Sequence, residues 1–303
     1  MSDQHLKTPI AGLHHVTAIS GPAQENLDYY TQVLKTRLIK KTVNFDAPEM
    51  YHLYYGAQDA RPGSVMTFFN REERGQGQAG TGAAQAFAYA VAPEDLPQWQ
   101  AALGGSMSTR FGAQVLSVTD PHGQAFELVA DSGADLWGVF HSVTLWVEDP
   151  DPTAAILTEV FGYAFLGEER GTGGRRLRYA LPGDAPGRVV DLWVADEAVK
   201  ARPGPGTIHH VAFRARDGAH QAALRAQLLA RGERVTEVKD RQYFKAIYFR
   251  EPGGVLFEIA TDGPGFDVDE PMEGLGRGLM LPPQYETRRA EIAARLPDLT
   301  CLD

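Results

Sequence analysis

The sequence predicts an α+β fold: four βαβββ modules paired into two cupped, barrel-like mixed sheets, with the helices outside. Three observations carry this. An apolar strand, a turn and a helical pattern recur four times along the 303 residues. Each recurrence ends in β-rich segments, the last of which follows a glycine turn. The composition, 43% hydrophobic and 22% charged, suits a globular chain long enough for two core-forming lobes.

Leu13 to Ile19 is the first apolar strand, followed by Gly21-Pro22 and then Leu27, Tyr30 and Leu34 at helical spacing. Gln85 to Val91 is the second, followed by Pro93 and a short helix to Leu103. His141 to Val147 is the third, with Asp149-Pro150 and a helix to Phe161. Ile208 to Phe213 is the fourth, with Asp217-Gly218 and a helix to Ala230. Gly104, Gly162 and Gly232 fall where a helix ends in a left-handed residue. The closing segments start at Gly63, Gly123, Gly187 and Gly254, so the fourth residue after each glycine is Thr67, Glu127, Asp191 or Glu258. A strand–helix–three-strand unit cannot cover its own sheet, so two units side by side make a cup open on its concave face. Residues 10–130 form the N-terminal pair of modules and residues 139–262 the C-terminal pair. Residues 263–303 form a tail, with a docked helix from about Gln284 to Leu296 on the pattern Tyr285, Ile292, Leu296. Linkers run from Arg71 to Gly82, Asp131 to Gly138 and Ala201 to Gly206.

The formal net charge of -10 argues against a nucleic-acid or anionic-lipid partner. One cysteine, Cys301, cannot make an intrachain disulfide and suits a reducing compartment. Met1 to Pro9 lacks an apolar targeting core, and no apolar run is long enough to span a bilayer. The expectation is a cytoplasmic protein with no membrane partner; a homo-oligomer is left open. Gly75-Gln76-Gly77-Gln78-Ala79-Gly80 matches a dinucleotide fingerprint by letter but leads into a strand, not a helix, and reads as a flexible linker. Cys301 has no base within sequence reach and is not a nucleophile.

The chemistry lies on the first and last strands of the units. His15, His141 and His210 fall at equivalent places on first strands, and the second unit has Ala86 or Phe87 there. The separation to the last-strand position is 52 (15 to 67), 50 (141 to 191) and 48 (210 to 258). A lone strand histidine is ordinarily a satisfied polar residue. Glu258 changes the balance: it lies between Phe257 and Ile259 in an apolar strand, where an unpaired carboxylate is costly to bury. Beside histidines, a cation is its natural partner. Two imidazoles and one carboxylate with open positions is the non-haem Fe(II) arrangement. His210 and Glu258 share a unit; the remaining ligand comes from another first strand, His15 or His141. Neighbouring strand residues face opposite ways, so one of each doublet, His14-His15 and His209-His210, points squarely into the cup. His141 aligns with the second members, which favours His15 and His210. Thr17 lies on the face of His15 and could orient a ligand.

These repeats resemble the vicinal oxygen chelate superfamily (glyoxalase, bleomycin resistance and extradiol dioxygenase proteins). Gly12 to Thr17, Tyr51 to Tyr55, Thr109 to Gly112, Ile208 to Phe213, Asp240-Arg241 with Tyr243-Phe244, and Pro252 to Glu258 are more closely similar to the hydroquinone-type ring-cleaving dioxygenases. The match runs from about residue 10 to Leu281-Pro282-Pro283-Gln284-Tyr285. The resemblance implies a dioxygenase that opens para-diol aromatics with O2, using Fe(II), or Mn(II) in its place. It implies metal ligands His15, His210 and Glu258, with His14, Thr17, His209, Arg241 and Tyr248 orienting the ligands or touching substrate. It also implies a cup shared by the first and fourth units. The catechol-cleaving relatives pair the third with the fourth, which would move the ligand to His141. The residues lean to His15: it sits in a doublet like that of His210, and Thr67 leaves a first–fourth cup with a single carboxylate. The second cup, with His141, Glu127 and Asp191, reads as a relic or structural site. Two other classes stand against this reading. One is a glyoxalase-like isomerase or thiol transferase with another metal; the other is a non-catalytic small-molecule binding protein, which would need no such triad.

Overall fold

Each unit opens on a strand whose apolar residues are buried on both faces, between helices and the facing sheet. The structure is a computed structural model and describes residues 8–71 and 75–301. Unit 1 comprises β1 (Leu13–Ser20), α1 (Ala23–Asp28, continued by a π-helical turn Tyr29–Val33), β2 (Arg37–Asn44), β3 (Ala47–Gly56) and β4 (Val65–Asn70). Unit 2 comprises β5 (Ala83–Val91), α2 (Leu96–Leu103), β6 (Ser106–Arg110), β7 (Ala113–Thr119) and β8 (Ala125–Ala130). Unit 3 comprises β9 (Phe140–Trp146), α3 (Pro150–Ala155, continued by Ile156–Val160), β10 (Ala164–Gly171), β11 (Gly174–Ala180) and β12 (Val189–Ala195). Unit 4 comprises β13 (Thr207–Arg214), α4 (Gly218–Ala230), β14 (Lys239–Asp240), β15 (Phe244–Arg250) and β16 (Leu256–Pro264). The three helix-closing glycines hold φ of 70°, 80° and 88°, a region open to them because they lack a Cβ.

Among the described residues, sixteen strands form two mixed eight-stranded sheets, ordered β14-β15-β16-β13-β1-β4-β3-β2 and β10-β11-β12-β9-β5-β8-β7-β6. First strands meet antiparallel at each centre, β1 with β13 and β5 with β9, and each pairs in parallel with the last strand of its own unit. Unit 1 thus shares a sheet with unit 4, and unit 2 with unit 3. The boundary between residues 10–130 and 139–262 divides the chain but not the sheets, each of which takes a unit from either side. Consecutive units are tied by a helix and a turn instead. Asp120 accepts from the backbone N–H of His122 and Gln124 and from the Tyr30 hydroxyl of α1. Glu251 accepts from the N–H of Gly253 and Val255 and from the Thr153 hydroxyl of α3. The core is continuous across both sheets and includes Leu13, Phe87, Phe126, Phe140 and Phe213.

The glycine-rich segment is pinned rather than flexible where described. Gln78 and Thr81 bridge to Arg202 and Lys200, and the Gln76 amide donates to the carbonyls of His122 and Pro205. It leads directly into β5, so no helix N-terminus receives a phosphate. Residues 72–74 of that linker, and residues 1–7 of the amino-terminal segment, lie outside the described residues.

The tail differs from the expected single helix. A 3-10 turn, Pro283–Arg288, precedes a short α5 (Arg289–Ala293). The tighter turn lets the Tyr285 hydroxyl donate to Phe45 O at 2.9 Å while Ile292 and Leu296 enter the core. The tail also spans the two edges of the first sheet. Leu279 bridges Lys41 on β2, and Asp269 accepts from Gln242 and Tyr243 beside β14 and β15. Lys40 of β2 is fully buried, with Nζ 2.6 Å from both Asp269 and Glu270. Removing its charge strands two facing carboxylates. Lys40→Met is therefore expected to lower the unfolding free energy by about 3–5 kcal/mol. Urea unfolding checks this, and a loss below about 1 kcal/mol, the ceiling for an exposed pair, would show that the tail is held by other contacts.

Candidate metal centre

Two β-bulges build the centre. Along the β1–β13 seam, Leu13 pairs with Phe213 and His15 with Ala212, which leaves His14 as the extra residue; Thr17 pairs with His210 and Ala18 with Ile208, which leaves His209 as the extra residue. A bulge re-aims side chains that strict alternation would point apart. The paired rings of each doublet therefore touch: His14 Nδ1 lies 2.9 Å from His15 Nδ1, and His209 Nδ1 lies 2.7 Å from His210 Nδ1. With each Nδ1–H of His15 and His210 donating to its neighbour, both Nε2 lone pairs face the cup.

The two Nε2 atoms are 3.3 Å apart, and they lie 3.4 Å (His15) and 2.9 Å (His210) from Oε2 of Glu258. All three residues are buried, Glu258 completely. Neither Glu258 oxygen is matched by a well-directed hydrogen bond. A buried carboxylate facing two imidazole lone pairs suits a divalent cation, which would satisfy all three donors at once. Among the described residues, His15, His210 and Glu258 form the one group of three that could hold a metal ion. Burial pushes the Glu258 carboxyl up, but the adjacent His15 and His210 imidazoles outweigh it and hold it below the usual carboxylate range. Burial lowers His210, only partly offset by Glu258, which favours the neutral imidazole a metal needs.

The triad opens into a cavity of about 410 Å³, into which His209, Arg241 and Tyr248 also project. Arg241 Nε donates to the Tyr248 hydroxyl at 3.1 Å and its guanidinium contacts Asp46 at 3.3 Å. Burial, then Glu258, raises Tyr248 well above its ordinary value. Burial and the neighbouring His210 lower His209 to about 3. His14 and Thr17 stand behind this wall. His14 packs on Phe244, and Thr17 Oγ1 is 2.7 Å from Thr67 Oγ1. Sequence reasoning assigned no role to two further cavity residues, His52 and Tyr54. The Tyr51-His52-Leu53-Tyr54-Tyr55 run entered only as part of the family resemblance, and its pairing with β4 is what turns these side chains toward the triad.

Relatives span nearly the whole chain. MhqO of Bacillus subtilis, a protein assigned as a ring-cleaving dioxygenase, is 41% identical over 299 residues, covering 93% of this chain and 94% of its own. The chain belongs to the glyoxalase/bleomycin resistance protein/dioxygenase superfamily. The superfamily model itself matches residues 139–259. The chlorohydroquinone/hydroquinone 1,2-dioxygenase of Sphingobium indicum is 31% identical over 324 residues, covering 97% of this chain and 98% of that one. A solved Bacillus subtilis structure assigned as a dioxygenase superposes with a TM-score of 0.91 at 38% identity, covering 98% and 99% of the two chains. These relatives place the chain among ring-cleaving dioxygenases of the superfamily.

The second cup of this superfamily member corrects one expectation. On the β5–β9 seam the extra residues are Gln85 and His141. His141 is therefore the counterpart of His14 and His209, and Ser142 and Ala86 stand where His210 and His15 stand in the first cup. His141 Nδ1 meets Ser142 Oγ at 3.0 Å, the same doublet contact with the second histidine replaced. The one-residue error arises because a bulge is an event of two paired strands, invisible in either strand alone. The acids of this cup are neutralised by arginines: Arg110 pairs with Glu127, and Arg178 meets both oxygens of Asp191 at 2.8 Å. Guanidinium groups stand here where the first cup has imidazole and an open face.

Proposed function

We propose that this protein is an Fe(II)-dependent dioxygenase that opens the ring of hydroquinone-type (para-diol) aromatics with O2. The observation that carries the reading is the buried His15, His210 and Glu258 triad, its two Nε2 atoms and a carboxylate oxygen converging and opening on one side into an aromatic-lined cavity. The relative named chlorohydroquinone/hydroquinone 1,2-dioxygenase supports the substrate class. Three protein ligands on one face leave positions for a substrate oxygen and for O2. Bound Fe(II), or Mn(II) in its place, would supply Lewis acidity toward a substrate hydroxyl and a redox path between ring and O2.

The chain's own residues do the rest. Phe45, Phe69 and Phe244 line the cavity, pack the ring and keep water out. Arg241, whose Nε donates to the Tyr248 oxygen, carries a fixed positive charge that stabilises oxyanion character developing on the substrate. Tyr248, its hydroxyl kept protonated by burial, donates a proton to oxygen as the ring opens. His209 is kept neutral, and with its Nδ1 accepting from His210 its Nε2–H is left to donate a hydrogen bond to a substrate oxygen at the cavity wall. His14 and Thr17 hold the wall behind these groups.

A single metal-bound oxygen suffices for a para-diol, so a vicinal diol gains no advantage. Anaerobic loading with Fe(II), then oxygen consumption against a panel of hydroquinones and catechols, is expected to show uptake with the hydroquinones. Catechol turned over far better than every hydroquinone would remove the para-diol reading. Conversion without oxygen uptake would point instead to isomerase-like chemistry on this fold.

A further inference from the structure

The repeat gives Tyr248 a counterpart. Glu258 of β16 pairs with Tyr248 of β15, and Thr67 of β4 pairs with Tyr54 of β3. β3 and β15 are the same strand of units 1 and 4, so the two tyrosines occupy one position of the module, on opposite walls of one cup. Both line the cavity. Each is backed by a nitrogenous side chain: Tyr248 by Arg241, and Tyr54 by His52, whose Nδ1 lies 3.0 Å from the Tyr54 hydroxyl. His52 Nε2 is 2.8 Å from Thr67 Oγ1, which is 2.7 Å from Thr17 Oγ1. Thr67 stands where unit 4 has Glu258. A neutral hydroxyl there anchors His52 and leaves the metal a single carboxylate.

We propose that Tyr54, positioned by His52 and Thr67, selects para-diols by hydrogen-bonding the hydroxyl at the end of the ring opposite the metal-bound one. This rests on the para-diol reading above. A para-diol has two polar ends and needs two polar contacts across a cup, and the two module-equivalent tyrosines supply opposite walls. The backing groups differ as the two ends do. The fixed charge of Arg241 suits the end where oxyanion character develops. Burial keeps His52 neutral, which suits an uncharged hydroxyl. The Thr17–Thr67–His52–Tyr54 chain can run its donors in either direction, so the Tyr54 oxygen can accept from the distal hydroxyl or donate to it. Tyr54 is held for this by ring contacts to Tyr243 and Phe266, with centroids at 6.2 and 5.6 Å. A site built to hydrogen-bond a hydroxyl discriminates against the analogue that lacks it, because its own polar group is then left unpaired.

The test is binding, measured by calorimetry on anaerobic Fe(II)-loaded protein with hydroquinone and with 4-methylphenol, which replaces the distal hydroxyl by a methyl group. The natural protein is expected to prefer hydroquinone. Tyr54→Phe is expected to lose about tenfold of that preference, the worth of one hydrogen bond, and His52→Gln a smaller part. Tyr248→Phe is expected to keep the preference while oxygen uptake falls. An intact preference in a folded Tyr54→Phe overturns the assignment. Where Tyr54→Phe does not fold, an intact preference in His52→Gln overturns it instead. Natural protein that consumes oxygen with hydroquinones but binds both compounds equally overturns the Tyr54 role alone. Natural protein that consumes no oxygen with any hydroquinone overturns the para-diol reading and this inference together.

Discussion

Glu258→Gln is expected to lose its metal and its turnover together. The substitution keeps the shape of a side chain that is fully buried between Phe257 and Ile259, so packing is preserved. It removes the only carboxylate of the triad, and a neutral amide oxygen is a much weaker ligand for a hard cation. Metal affinity should fall by more than about 100-fold, the upper end of what losing an outer hydrogen-bond partner does. Metal analysis after dialysis, beside an oxygen-uptake assay, checks both. Full metal content with normal turnover would remove Glu258 from the centre.

The second large effect separates two histidines that the sequence left comparable. His15→Ala should lose iron and activity, because its Nε2 is one of three atoms converging in the first cup. His141→Ala should keep both. His141 belongs to the other sheet, at the bulge position, and its side chain meets Ser142 rather than a second imidazole. Its loss is a matter of stability, about 1 kcal/mol, visible as a lower melting temperature. Iron retained by His15→Ala and lost by His141→Ala would overturn the pairing of the first and fourth units.

Much of this architecture is readable from the chain. The four apolar first strands, their following helices and the glycine-led last strands carry period and turn chemistry that belong to local sequence. The near-constant spacing to Thr67, Asp191 and Glu258 exposes the repeat, and Glu258 in its apolar strand marks a buried charge in need of a partner. What escapes is what depends on two segments at once. The bulges at His14, His209 and His141 exist only in the β1–β13 and β5–β9 seams. The arginines that neutralise Glu127 and Asp191 come from other strands, Arg178 from the next one and Arg110 from two strands away, whose register no single segment specifies. Tyr54 and His52 belong to a legible motif, but that they face the triad emerges only when β3 is laid against β4. The tail pattern marked Tyr285, Ile292 and Leu296, but the 3-10 entry turn answers to Phe45, some 240 positions earlier.

The pairing of the outermost units has a consequence for how this chain comes into being. At a synthesis rate of about 5–20 residues per second, β13 leaves the ribosome roughly 10–40 seconds after β1. Over that interval the edge of β1 that will meet β13 has no neighbour, while β5 and β9 can already join. The inner sheet is the natural first product, and the outer one closes late around it. An open strand edge is a template for pairing with other chains. A truncation before residue 207 should therefore aggregate through β1 although its inner sheet is complete. The triad, drawn from β1, β13 and β16, comes together only as the last strand arrives, so metal capture would mark the end of assembly.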